Sequence, residues 1–251
     1  MVISRRGFLK AVAGGAAAVT IPYTMSAVGG SNMNSAPSNL TRVNDQVSYV
    51  LDGVPGLKSC SYLIKDGKEG TLVDTGLFRD GGDITQLFRE GNLSPSDIKR
   101  IFITHAHIDH ARGLRHLKGL TGAKVYGQKC DFTRVDQKGG QQSWLAYLGT
   151  RDTNDLIDEE VGEGDEIPIL GGAKVLNNPG HTPNDISLLL GNEGILFSGD
   201  ALQYKHGKLC PPPSRWNVDD AEADRSYRRL RDMEGWDIAC PGHYEHFVRK
   251  K

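Results

Sequence analysis

Seven side chains with metal-ligand chemistry stand in one order along the chain. They are His105, His107, Asp109 and His110, followed by His181, Asp200 and His243. The first cluster packs three imidazoles and a carboxylate into six residues, more than a solvated loop has use for. Histidines at i and i+2 on a tight loop can both reach one ion. Each later residue sits in a short turn segment: Pro179-Gly180-His181-Thr182, Ser198-Gly199-Asp200-Ala201 and Pro241-Gly242-His243. Together they could hold two divalent cations. Imidazoles with a carboxylate suit zinc, and iron or manganese also fit. Two cations about 3.5–4 Å apart lower the pKa of a shared water and so make hydroxide available near neutral pH. That hydroxide attacks an electrophilic carbonyl, and one cation stabilises the oxyanion that develops.

Such a site needs strand ends and turns to hold it. Gln46–Leu51 and Ser59–Ile64 read as strands joined across Asp52-Gly53-Val54-Pro55-Gly56, whose Gly and Pro favour a turn. A second turn, Lys65–Gly70, leads into strand Thr71–Asp74. Ile84–Gly91 reads as a helix, and Leu93–Asp97 carries a cap signal for a short helix to Lys99. The apolar run Arg100–Thr104 is a short buried strand that delivers the histidine cluster. Helices follow near Gly113–Lys118 and Gln141–Leu148, with strands near Lys124–Tyr126, Ile167, Lys174–Leu176, Ile186–Leu190 and Gly194–Phe197. A charged helix, Ala221–Met233, and a strand, Trp236–Ala239, precede the last Pro-Gly-His turn. Periodicity alone supports an α/β class and no more.

The ordered motifs, together with Thr71-Leu72-Val73-Asp74-Thr75-Gly76, resemble the metallo-β-lactamase-fold superfamily over roughly residues 45 to 248. The resemblance implies a four-layer αββα sandwich and a ligand pattern. In that pattern His105, His107 and His181 bind the first metal, Asp109, His110 and His243 bind the second, and Asp200 bridges them. Asp109 is also placed as the catalytic proton shuttle, because a bound carboxylate with a free oxygen can take a proton and pass it on. Asp74 does not touch metal in the pattern and orders the histidine loop through hydrogen bonds, a role Thr104 and Thr182 could share. The hairpin bearing Val54, Pro55 and Leu57 is expected to cover a nonpolar substrate tail. Some residues depart from commoner family text. Arg112 follows the cluster where a small residue is frequent; it could meet an anionic substrate, and is expected rather to point to solvent. Asn184 stands where glycine is frequent, a position asparagine tolerates in the left-handed region. Tyr204 reads as a packing residue, and His116, His206 and His246 as surface or helix residues.

Composition bounds the rest. A chain of 251 residues suits one domain, or at most two small ones. Its net charge is -1; residues 1–27 hold three of the 30 basic side chains and no acid, leaving 27 basic against 31 acidic, a balance of -4. That offers no phosphate-neutralising stripe, so nucleic acid is a poor candidate partner. Ser4-Arg5-Arg6-Gly7-Phe8-Leu9-Lys10 resembles a twin-arginine export signal. The following stretch, Ala11–Ile21, is too short and glycine-rich for a good membrane span. The expected organisation is a signal over 1–27, a flexible linker over 28–40 and the catalytic domain over 41–251. The export machinery is then a partner and the periplasm or exterior the destination, with an uncleaved membrane anchor as the alternative. Cys60, Cys130, Cys210 and Cys240 form no C-x-x-C pair; Cys60 and Cys240 read as buried small apolar residues.

A small carbonyl substrate remains: lactone, β-lactam, ester or thioester. Glyoxalase II-like enzymes carry a C-terminal helical extension that this sequence does not show, and the flavodiiron and tRNA-processing branches carry parts absent from it. Two other classes share the fold. A mononuclear-iron sulfur dioxygenase uses much of the same ligand set, but the Cys-Gly-Arg-Thr-Asp text associated with it is missing. A non-catalytic metal-binding module is disfavoured by the intact ligand set.

Overall fold

The computed structural model describes residues 39–138 and 146–249. The export segment 1–27, the linker as far as residue 38 and residues 141–145 of the expected helix Gln141–Leu148 lie outside the described residues.

Alternation organises the first sheet. It orders β1 (Leu40–Arg42), β2 (Val47–Val54), β3 (Leu57–Asp66), β4 (Glu69–Val73), β5 (Ile98–Phe102), β6 (Lys124–Gly127) and β7 (Glu159–Glu160). The first four pair antiparallel, and β4 through β7 run parallel. In β3, Cys60, Tyr62 and Ile64 enter one apolar cluster while Leu63 enters another, as a side-chain period of two requires. The second sheet contains β8 (Glu166–Ile167), β9 (Ala173–Asn177), β10 (Ile186–Leu190), β11 (Ile195–Gly199), β14 (Ile238–Pro241) and β15 (Phe247–Val248). A separate hairpin joins β12 (Gln203–Lys205) to β13 (Lys208–Cys210).

Residues of both sheets share one core: Tyr62, Val73 and Phe102 from the first meet Val175, Leu188 and Phe197 from the second. The outer face of the first sheet is covered by α1 (Thr85–Glu90) and α3 (Leu114–Thr121), through Leu87, Phe88, Leu114 and Leu117. Between them lies the single turn α2 (Ile108–Ala111), and α4 (Phe132–Lys138) follows β6. The outer face of the second sheet is covered by α5 (Asp220–Asp232), through Tyr227 and Leu230. The result is the expected αββα layering.

Several expectations shift. The β2–β3 strands run on through Asp52 and Val54, so only Pro55 and Gly56 separate them. Leu40 pairs with Val50, so the linker range ends in strand rather than tether. Arg112 is buried, not solvent-facing, and burial together with the nearby Arg79 charge lowers its pKa. Asn184 does not adopt the left-handed region; its side chain accepts from Asp131 N at 2.8 Å instead. All four cysteines are free, with Cys60 and Cys240 in the core. No described helix is long and apolar enough to cross a membrane.

Candidate metal centre

The parallel strands β4 and β5 end side by side, and the chain turns back at both ends. At the end of β4, Asp74 takes φ +63°, a conformation rare for a residue with a side chain. Its carboxylate accepts from Thr104 N at 2.9 Å, from Thr104 Oγ1 at 2.9 Å and from His110 Nδ1 at 2.8 Å. Thr75 N and Oγ1 both donate to the His110 carbonyl, at 2.7 and 2.9 Å. The β4 end thus clamps both flanks of the histidine loop, with Asp74 and Thr104 joined in the same hydrogen-bond set.

The same hydrogen bonds orient the rings. Thr104 Oγ1 donates to Asp74, so it accepts from His105 Nδ1 at 3.0 Å. His110 Nδ1 donates to Asp74. His181 Nδ1 donates to Asn217 Oδ1 at 3.0 Å, and His243 Nδ1 to the Lys58 carbonyl at 2.5 Å. A neutral imidazole has one N–H, so each of these rings keeps a lone pair at Nε2.

Two Pro-Gly-His turns bring the later histidines in. Gly180 has φ +133°, and a Cβ there would lie 2.0 Å from Ala223 N at the start of α5. Gly242 packs so closely that a Cβ would lie 2.3 Å from Asp200 Oδ1 and 2.6 Å from His110 Cε1. Only glycine permits either approach. Cys60 N donates to the Gly242 carbonyl and Tyr62 Oη to the Pro241 carbonyl, tying His243 to the first sheet.

All seven expected residues meet. Ligand atoms of His105, His107 and His181 lie within 4.8 Å of one another, as do those of His105, His110 and Asp200, and those of Asp109, His110 and His243. Asp200 reaches both sides: its carboxylate is 3.3 Å from His181 Nε2, 3.5 Å from His110 Nε2 and 3.1 Å from His243 Nε2. Asp109 Oδ2 is 3.5 Å from His243 Nε2, and Ser59 Oγ holds the Asp109 carbonyl. Four buried atoms of the cluster have no hydrogen-bond partner: His105 Nε2, His110 Nε2, His181 Nε2 and Asp200 Oδ1. Burying such atoms unpaired is costly, and cations at this point would satisfy all of them together. The donor set therefore fits divalent metal.

Charge in the cluster gives the same picture. Burial keeps His105 and His107 well below the ordinary histidine pKa. Burial works the same way on His110 and His243, yet neighbouring carboxylates overcome it. Asp109 and Asp200 bring His110 to about 9, and Asp200 brings His243 to about 10. Burial opposes the Asp200 anion, but His243 and His110 hold its pKa well below the usual carboxylate range. The site is built to attract positive charge.

Three supporting residues escaped sequence reasoning. Asp185 is buried 4.0 Å from His105 Nδ1 and accepts from Thr182 N and Oγ1, at 2.7 and 2.5 Å. Burial raises its pKa to about 6, against the pull of His181 and Thr182. The T-x-x-D spacing of Thr182 and Asp185 is a local-turn signal that could have revealed it. Asn217 is held by its amide, which donates to Asp220 Oδ1 at 2.8 Å, and nothing in the sequence marks it. Tyr147 packs edge-on to His107 with centroids 4.7 Å apart.

Above the cluster lies a cavity of about 290 Å³. His107, Asp109, His181, Asp200 and His243 form its floor; Leu51, Leu57, Ile108, Pro213, Trp216 and Tyr244 contribute apolar wall. Of the expected substrate loop, Leu57 lines this cavity, whereas Val54 is buried in the protein and Pro55 is exposed outside it. Tyr204 packs on Phe247, with centroids 5.1 Å apart, and is not part of the wall. His116 and His206 are exposed, and His246 is half-buried near Tyr49.

This fold and this site define a mixed α/β metal-site protein. A family model described as the metallo-beta-lactamase superfamily matches residues 54–243, and the chain belongs to that superfamily. The chain is 26% identical over 189 residues to a hydroxyacylglutathione hydrolase of Cereibacter sphaeroides, covering 73% of this chain and 61% of that protein. It is 27% identical over 187 residues to a probable metallo-hydrolase of Bacillus subtilis, covering 65% of this chain and 71% of that protein. Both curated relatives are thus named as hydrolases. Among solved structures, a metallo-beta-lactamase family protein of Thermus thermophilus is similar at TM-score 0.61 and 26% identity, over 82% of this chain and 76% of that one. The chain spans about three fifths of the length of the hydroxyacylglutathione hydrolases of Cereibacter sphaeroides that it matches.

Proposed function

We propose that the protein is a dinuclear-metal hydrolase of a small carbonyl compound, with a thioester or related ester as the preferred class. The observation that carries the reading is the set of buried, unpartnered Nε2 and Oδ1 atoms on rings already tied at Nδ1 and on the carboxylate between them. In this reading His105, His107 and His181 hold one ion, and Asp109, His110 and His243 the other. Asp200 lies between them. Bound there, the ions supply an acidified water and a Lewis acid for the carbonyl. The chain does the rest. The Nδ1 partners hold the rings in place, the apolar wall excludes bulk water, and Asp109 takes and returns the proton at its carboxylate oxygen. The thioester preference rests on the named activity of the Cereibacter relative.

Elemental analysis of protein purified without chelator tests the dinuclear claim, alongside turnover of a thioester, lactone and β-lactam panel. Two ions per chain with ester or thioester cleavage is the expected result. One iron per chain with oxygen uptake would replace it with the sulfur dioxygenase reading, and metal without turnover with a binding module. We further propose that Arg5 and Arg6 direct export through the twin-arginine machinery. Cells carrying Arg5→Lys/Arg6→Lys should lose the periplasmic protein, and equal periplasmic amounts would refute this.

A further inference from the structure

The cavity wall is not uniformly apolar. Two cations stand in it, Lys58 and Arg215. Both are exposed, and neither is ion-paired to a described carboxylate. Some surface cations of the domain are ion-paired, as in Arg115–Asp152, Lys118–Asp158, Arg151–Asp136 and Arg229–Glu163.

Both cations sit on ordered backbone next to the metal cluster. Lys58 lies in β3, and its carbonyl is the acceptor for His243 Nδ1. Arg215 lies in the short 3₁₀ turn Ser214–Trp216, entered from Pro213, and its guanidinium stands over the Trp216 ring at 5.8 Å. Two residues later Asn217 accepts from His181 Nδ1. One cation therefore flanks the Asp109–His110–His243 group and the other the His105–His107–His181 group. The wall and floor contain two carboxylates, Asp109 and Asp200, and both belong to the cluster. Two divalent ions would outweigh those two carboxylates, and Lys58 and Arg215 add to the excess. A small concave site with one sign of charge concentrates ligands of the opposite sign.

We infer that the substrate is anionic: a small carbonyl compound whose carboxylate or equivalent group is held by Lys58 and Arg215 while its apolar part rests on Leu57, Trp216 and Tyr244. This rests on the metal-dependent reading above. Arg112 is buried and is not in the cavity wall, so it does not supply this contact.

The test uses binding, so it does not depend on knowing the substrate. Zinc-loaded protein is titrated with 2-benzyl-3-mercaptopropanoate and with the corresponding primary amide. The thiolate of either compound reports the metal, and only the first reports the anion contact. At low salt the carboxylate should bind at least about 10-fold more tightly than the amide, with the difference shrinking as salt is added. In Lys58→Met/Arg215→Met the two compounds should bind within about 2-fold of one another, since a rim charge contact is lost and the metal contact kept. Metal content and amide affinity should be unchanged in that variant. Equal binding of the two compounds to the wild-type protein would overturn the inference while leaving the metal site standing. A preference that persists in the double variant would overturn the role of these two residues. Failure of both thiols to bind the zinc-loaded protein would overturn the metal reading and the inference together.

Discussion

Four imidazoles of the cluster enter the site with Nδ1 already engaged, and each has a different kind of partner. His105 uses a hydroxyl, His110 a carboxylate, His181 an amide oxygen and His243 a backbone carbonyl. Because Asn217 is an uncharged acceptor from outside the histidine loop, it can be removed without disturbing Asp74 or Thr104. Asn217→Leu should weaken metal binding by roughly 10–100-fold, the usual cost of losing an outer-shell partner. Asn217→Asp, which keeps the acceptor, should recover most of it. Competition with a chromophoric chelator measures both, and equal affinity for the Leu variant and wild type would remove the positioning role. Asp109 differs from Asn217 because its carboxylate lies in the cavity floor. Asp109→Asn should fold normally yet lose at least about 100-fold in kcat, the low end for acid–base assistance. Near-normal turnover by the folded, metal-loaded variant would refute the assignment.

At the scale of elements, the β2–β3 hairpin separates two roles that the sequence had joined. Val54 is buried and pairs with Leu57 across the tight Pro55–Gly56 turn, whereas Leu57 itself faces the cavity. Val54→Ser should therefore lower stability by about 1–3 kcal/mol, the worth of a buried aliphatic side chain, with KM unchanged. Leu57→Ser should raise KM for substrates with apolar tails and leave the melting transition nearly in place. Steady-state kinetics with short- and long-tailed substrates, run beside thermal melts, distinguish the two. The opposite pattern would mean that the hairpin is misassigned. Legibility follows similar physics. Long or strongly apolar runs such as β3, β10 and α5 were readable because burial imposes a period on them. The single turn Ile108–Ala111 and the β12–β13 hairpin were not. Four or three residues are too few to show a period, and the turn is helical because the ligand loop is clamped at Asp74 and Thr75. The seven clustered residues were legible because turns and local spacing mark them. Asn217, Lys58 and Arg215 were not, because only the tertiary fold brings them to the site.

For the molecule as a whole, the cluster couples metal, protons and stability. The two sheets meet at the site through cross-links such as Tyr62 to the Pro241 carbonyl and Ile186 N to the Thr104 carbonyl. Ions held by His105, His110, Asp200 and His243 would therefore fasten one sheet to the other, and binding to the folded state alone raises its stability by mass action. Without ions, protons serve in part. The carboxylates lift His110 to about 9 and His243 to about 10, above the ordinary histidine value. A raised folded-state pKa contributes stability that is fully present below the unfolded value of about 6.5 and is lost as pH rises through the folded values. Metal binding has the opposite sign, because ligands must shed those protons and affinity climbs as they leave. The gap in Tm between metal-loaded and chelator-stripped protein should therefore widen from about pH 6.5 to pH 10, the interval these values define. Thermal melts of both forms across that interval measure it, with the stripped protein weakening as pH rises and the loaded protein holding. A gap that stays constant or narrows would show that His110 and His243 do not exchange protons for metal.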